Sequence, residues 1–235
     1  MELSDALRTT GSVREFTGDA VADDVVARVL EIARFAPSGG NRQGWRVVVV
    51  KDRETRQRLR DLYLPGWYDY LAIAGAGLTP WAPVTDRAAE AEALGAAPEI
   101  AAAAAAGSGG FAEHLDTAPV LLVLFADLRA LAAVDRDRTR YQFAGGASVY
   151  PFAWSVLLAA REEGLGGVIT TMNVRREDEV KSLFGAGEEL ALAAVIALGH
   201  PVRQPRRLTR TPVEEFVTTD RLGGEPFGNR ARITP

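Results

Sequence analysis

Ala36-Pro37-Ser38-Gly39-Gly40-Asn41-Arg42-Gln43-Gly44-Trp45, followed after Arg46 by Val47-Val48-Val49-Val50, is the stretch from which the rest of the chain is read. Upstream of it, Val25, Val26, Val29, Leu30 and Ala33 recur at helical spacing, which predicts a helix from about Asp23 to Phe35. Asp23 or Asp24 can accept from the free amides of its first turn. Pro37 stops that helix, because the residue before a proline is pushed out of the α region. The four valines predict a buried strand, since β-branched side chains suit a pleated surface. A helix ends, a polar glycine-rich loop follows, and a core strand begins.

The loop carries more chemistry than a connector needs. Gly39 and Gly40 permit positive φ and let backbone approach a flat object closely. Asn41 and Gln43 each present a donor and an acceptor, which suits the edge of a heterocycle offering both. Ser38 adds a hydroxyl, and Trp45 anchors the exit in the core. The same composition also suits an ordinary helix-to-strand turn, because Gly, Ser and Asn are common turn residues.

Arg34 to Trp45 resembles the signature loop of the FMN-dependent nitroreductase family, in which a Pro-Ser-x-x-Asn-x-Gln-Pro-Trp segment borders the flavin ring. Gly44 replaces the usual proline, which loosens the loop but removes no group that touches the flavin. The resemblance implies that Pro37, Ser38, Gly39, Gly40 and Asn41 border the ring. Ser12, Val13, Arg14 and Phe16 are similar to the family's Arg-Arg-Ser-x-Arg-x-Phe element, whose serine and basic residues hold the FMN phosphate. That phosphate carries roughly −1.5 to −2 charge and three strong acceptors, so it needs cationic donors. Thr10 and Gly11 stand where two basic residues often occur, and Arg8 is the nearest candidate to supply the missing charge.

Two later segments extend the resemblance. A helix over about 146–162 ends at Gly164-Leu165-Gly166-Gly167 and leads into Val168-Ile169-Thr170-Thr171. A dinucleotide fingerprint must follow a strand and open a helix, so a Rossmann reading fails on context. The arrangement instead resembles the family's Gly-Leu-Gly turn, which implies that Ile169, Thr170 and Thr171 line the ring. After Gly199-His200-Pro201, the run Arg203 to Glu215 is similar to a basic segment of the form Arg-x-Pro-hydrophobic-Glu-Glu. It places Arg210 at the phosphate-binding arginine, with Arg207 beside it. Taken singly, Arg14 and these arginines suit solvated surface charge, and the glycine run suits a helix cap before a core strand.

Composition bounds the remainder. The chain has 235 residues, 47% apolar and 25% charged, which fits a single globular domain over residues 1–235. A net charge of −4 argues against a nucleic-acid binder. The absence of cysteine excludes disulfides, thiolate nucleophiles and iron–sulfur clusters. His114 and His200 show no ligand pattern, so no metal site is expected. No leader or long apolar run is evident, which predicts a cytoplasmic protein without membrane contact.

In chain order, residues 3–10 predict a short helix and residues 52–62 an amphipathic one. From Leu64 to Gly110 the periodicity fails: Trp67, Tyr68, Tyr70 and Trp81 cluster among prolines, and an alanine tract follows. The resemblance implies a variable lid there, at about 64–110, that selects substrates. Pro119 to Ala126 and Leu190 to Leu198 predict buried strands, and residues 175–184 a charged helix. The tail at about 218–235 is polar, and in the family such tails wrap the partner subunit.

The resemblance as a whole implies an α+β fold with a mixed, mainly antiparallel central sheet flanked by helices, in an intertwined homodimer holding FMN at its interface. It implies hydride transfer from NAD(P)H through the flavin to a small-molecule electron acceptor such as a nitroaromatic or quinone. The cofactor carries that chemistry, so no catalytic side chain is expected. A flavin-dependent oxidase or dehalogenase, or a flavin-binding protein with little turnover, fits the same residues.

Overall fold

The computed structural model describes residues 1–228. Four strands form its sheet: β1 (Trp45–Val49), β2 (Val120–Asp127), β3 (Gly166–Thr170) and β4 (Leu190–Gly199), in the order β1-β2-β4-β3. Every pairing is antiparallel. β2 and β4 occupy the centre because their sequences are apolar on both faces, and a strand covered on both sides needs that pattern.

The two-residue period of β2 sorts its side chains into two cores. Val120, Leu122, Leu124 and Ala126 face α2 (Asp23–Ala33) and α6 (Tyr150–Glu162), where Val29, Phe152, Ala153, Val156 and Ala160 are buried. Leu121, Val123 and Phe125 face the opposite side, against Leu59 and Tyr63 of α3 (Arg53–Gly75) and Val180 of α7 (Glu177–Phe184). The remaining helices are α1 (Leu3–Thr9), α4 (Arg87–Ala93), α5 (Ala97–Ala106) and α8 (Val213–Phe216). Among the described residues no helix is long and apolar enough to cross a membrane.

Two expectations are corrected. The valine run is not a core strand: β1 is a sheet edge, Val47 and Val48 are half-buried, Val49 is exposed, and only Val50 is buried. β-propensity reports a pleated surface, and whether another strand covers it is settled by sheet order. Residues 64–110 are not aperiodic either. α3 runs through Pro65 to Gly75, and α4 and α5 follow. Proline removes one helical hydrogen bond, but buried Tyr63, Gly66, Ala72 and Ile73 hold the turns on either side of it. Gly66 allows close packing, since a Cβ there would stand 3.2 Å from Arg175 Cγ and 3.3 Å from the Met172 carbonyl oxygen. Of the predicted tail, residues 229–235 lie outside the described residues.

Candidate flavin site

One corner of the sheet gathers the segments expected around a phosphate. Ser12 bridges Gly167 in parallel, and Val13 N donates to the Gly167 carbonyl (2.9 Å). Val13 itself is buried over Gly166, where a Cβ would lie 2.7 Å from Val13 Cγ2. Its amide and side chain are thus both engaged, and it positions Ser12 and Arg14, which are exposed. The segment after β4 returns to the same corner: Val202 N donates to the Glu15 carbonyl, and Leu208 N to the Arg8 carbonyl (3.1 Å). Arg207 and Arg210 flank Leu208 and are exposed. Neither they nor Arg14 form an ion pair among the described residues.

β3 connects this corner to α3. Thr170 is buried, and its hydroxyl donates to Tyr63 Oη (3.3 Å). Burial pushes the Tyr63 phenol above its ordinary range, while Thr170 and the nearby Arg14 charge pull the other way. Ile169 is half-buried opposite Ile196, and Thr171 is exposed at the strand's end. Tyr63 also begins an aromatic series: Trp67 lies 6.3 Å from it, Tyr70 stacks on Trp67 at 5.4 Å, and Trp81 follows at 6.3 Å, capped by the Arg175 guanidinium. The 64–110 segment is therefore joined to the body beside Arg14 and Thr170.

The Pro37–Asn41 loop lies elsewhere. Gly40 has φ of 61°, and Asn41 and Gln43 follow with 53° and 50°, left-handed backbone that is uncommon for residues other than glycine. Ser38 Oγ accepts from Gln43 N (3.0 Å), and Ser148 Oγ accepts from Gly39 N (3.0 Å). Trp45 stacks on Phe152 at 4.8 Å and pins the exit. The Asn41 side chain and the Gly39–Gly40 backbone are left exposed. Ser148 was invisible to sequence reading, because nothing local marks a brace that acts 109 residues away.

Within one chain the two groups occupy opposite corners. The loop leads into Trp45, which pairs with Ala126, whereas Gly167 pairs with Leu198, itself opposite Val120. From Val120 to Ala126 is about 20 Å along the strands, and from β1 to β3 about 14 Å across. A single ribityl phosphate arm does not span that diagonal.

The residues present fit FMN. Ser12 lies next to exposed Arg14, which has no carboxylate partner among the described residues, and the exposed glycine loop carries the Arg42 guanidinium over Gly40 and the Asn41 amide beside it. Comparison with known proteins agrees. The chain is 27% identical to an NADH dehydrogenase of Thermus thermophilus, covering 88% of this chain and 90% of that one. Its fold is similar to that of a BluB-like flavoprotein from Clostridium difficile (TM-score 0.64, 23% identity, 93% and 98% covered). It is also similar to oxidized iodotyrosine deiodinase bound to FMN and 3-iodo-L-tyrosine (TM-score 0.62, 22% identity, 94% and 100% covered). The model of the Nitroreductase family matches residues 7–200, and the chain belongs to that family.

Proposed function

We propose that the protein is an FMN-dependent oxidoreductase that uses NAD(P)H to reduce nitroaromatics, quinones or related electron-poor small molecules. The observation that carries this reading is the braced loop. An ordinary connector has no need of three left-handed residues in four, and backbone held this way recurs at ligand sites. When bound, FMN supplies reversible hydride acceptance. The chain's own residues bind and orient: Ser12, Arg14, Arg207 and Arg210 hold the phosphate end, and Ile169, Thr170 and Thr171 line one side of the ring. Gly39, Gly40 and Asn41 present backbone and amide groups to its edge.

The opposite corners support a homodimer in which each site draws its phosphate group from one subunit and its ring loop from the other. Phe35, Val134 and Phe143, each 74% or more exposed, are further apolar surface that a second copy would cover. The test is the visible spectrum of the purified protein, with the released cofactor identified. A yellow protein carrying FMN is expected; a colourless one that gains no flavin absorbance in excess FMN would overturn the proposal.

A second reading, reductive dehalogenation of an aromatic substrate, is favoured by the likeness to iodotyrosine deiodinase 1 of Homo sapiens, 24% identical over 93% of this chain and 68% of that one. Iodide release from 3-iodotyrosine by the reduced protein, faster than reduction of a nitroarene, would establish it over the first.

A further inference from the structure

The turn between α2 and β1 is strained where it enters the sheet. Gln43 holds φ at 50°, and left-handed backbone of this kind in a residue other than glycine persists only where its surroundings over-determine it. The next residue provides no lock. Gly44 is buried, and a Cβ there would stand 2.9 Å from Ala130 Cβ and 3.4 Å from the Asp127 carbonyl oxygen. A proline at 44 would moreover push Gln43 towards extended backbone.

Two contacts hold the Gln43 backbone, one at each end. Its N–H donates to Ser38 Oγ (3.0 Å), and its carbonyl accepts from Arg46 Nη1 (3.2 Å). The Gln43 side chain then donates through Nε2 to Asn41 Oδ1 (3.2 Å), so the Asn41 amide takes its orientation from Gln43. Arg46 is exposed, and its long side chain has many rotamers to lose. Asp127 is what aims it. Arg46 Nη2 donates to Asp127 Oδ2 (3.2 Å), and the Asp127 side chain is buried, only 6% exposed. Arg129 fixes that carboxylate in turn, giving its backbone N–H and Nε to Oδ1 (3.1 and 2.9 Å) and Nη2 to Oδ2 (2.9 Å).

Every partner of the carboxylate is a donor, so both of its oxygens are needed. An asparagine there would turn an N–H₂ towards a guanidinium, which has no acceptor to offer. Arg46 reaches Asp127 with one terminal nitrogen and Gln43 with the other, a division that the planar guanidinium fork permits and a lysine ammonium does not.

We propose that Asp127 is a positioning residue for the flavin: it acts through Arg46 on Gln43, and so sets how the Asn41 amide and the Gly39–Gly40 backbone meet the ring edge. This role rests on the function proposed above, and neither Asp127 nor Arg46 needs to touch the cofactor.

The test compares the wild type with Asp127→Asn, Arg46→Ala, the double variant and Arg129→Ala, each checked for its fold by thermal unfolding. Fluorescence titration gives the affinities for FMN and for riboflavin, and visible-region circular dichroism reports the surroundings of the bound ring. Asp127→Asn and Arg46→Ala should each lose at least fivefold for both flavins alike, with an altered flavin dichroism at saturation. The double variant should lose no more than either single one, because the two residues act in series. Arg129→Ala should keep wild-type affinity and dichroism. Additive losses in the double variant, wild-type behaviour of Asp127→Asn, or an equal loss in Arg129→Ala overturns the role. If Asp127→Asn does not fold, Arg46→Ala decides alone, and wild-type affinity with wild-type dichroism there overturns it. Hydrogen exchange on the flavin-free protein reads the clamp without the cofactor. The Gln43 and Asn41 amides should exchange at least tenfold faster in Arg46→Ala, and equal rates overturn the clamp. A wild type that takes up no flavin defeats the FMN reading instead, and the exchange rates still decide the clamp.

Discussion

Arg210 gives one guanidinium N–H to the Thr209 carbonyl (2.7 Å), which aims the side chain and leaves most of its five donors open. Charge-assisted hydrogen bonds to a phosphate contribute roughly 1.5–3 kcal/mol each. Arg210→Ala is therefore expected to weaken FMN binding about ten- to a hundredfold while leaving thermal stability nearly unchanged. An unaltered dissociation constant by fluorescence titration would remove Arg210 from the site. Acid stability belongs to other residues. Asp127 accepts from Arg129 Nε and Nη2 (both 2.9 Å), chiefly for which reason its carboxyl is held down to about 2. Asp135 is also held at about 2, first by the Phe143 amide (3.0 Å) and then by Arg140 (2.9 Å). A folded-state value below the unfolded one of about 3.9 favours the fold above that pH, and the benefit is lost as pH falls towards 2. Tm should accordingly drop between about pH 4 and pH 2, and Asp127→Asn or Asp135→Asn should shrink the drop. Variants that keep the full acid slope would show that these carboxylates do not set it.

At the scale of elements, α3 is where reading and structure part most clearly. Its N-cap, Asp52, accepts from Thr55 N (2.8 Å) and starts the helix as local rules expect. Its continuation through Pro65 depends on contacts with residues 172–175, more than a hundred positions away. The continued helix carries Tyr63, Trp67 and Tyr70 outward from Thr170 as one aromatic row. We expect Trp67→Ala and Tyr70→Ala to change the relative kcat/KM among nitroaromatics and quinones with FMN retained. If both variants simply lose FMN, this helix belongs to the cofactor site and not to substrate selection.

At the scale of the molecule, the site as proposed draws on a second chain. Arg14→Glu sets a negative charge against the phosphate, and Gly40→Trp blocks the ring loop, so each variant dimer should lack flavin. Refolded together, the two should form mixed dimers in which one site collects both lesions and the other neither. FMN should return at up to about one site per mixed dimer. No recovery, with mixed dimers verified by mass spectrometry, would place the site within one chain.

Local chemistry was enough to read the buried strands Val120–Asp127 and Leu190–Gly199, the helix cap at Gly164 and the glycine-rich turn after α2, because apolar runs, left-handed glycines and turn residues act over a few positions. The arginines proposed for the phosphate were legible as a motif but not as a cluster. What local pattern could not supply was partnership. That β1 lies at an edge, that Ser148 braces Gly39, that Arg46 ties Asp127 to the Gln43 carbonyl, and that ring loop and phosphate group stand at opposite corners all follow from sheet order and long-range packing. Those contacts join residues whose separation along the chain carries no periodic signal, so they exist only once the fold brings them together.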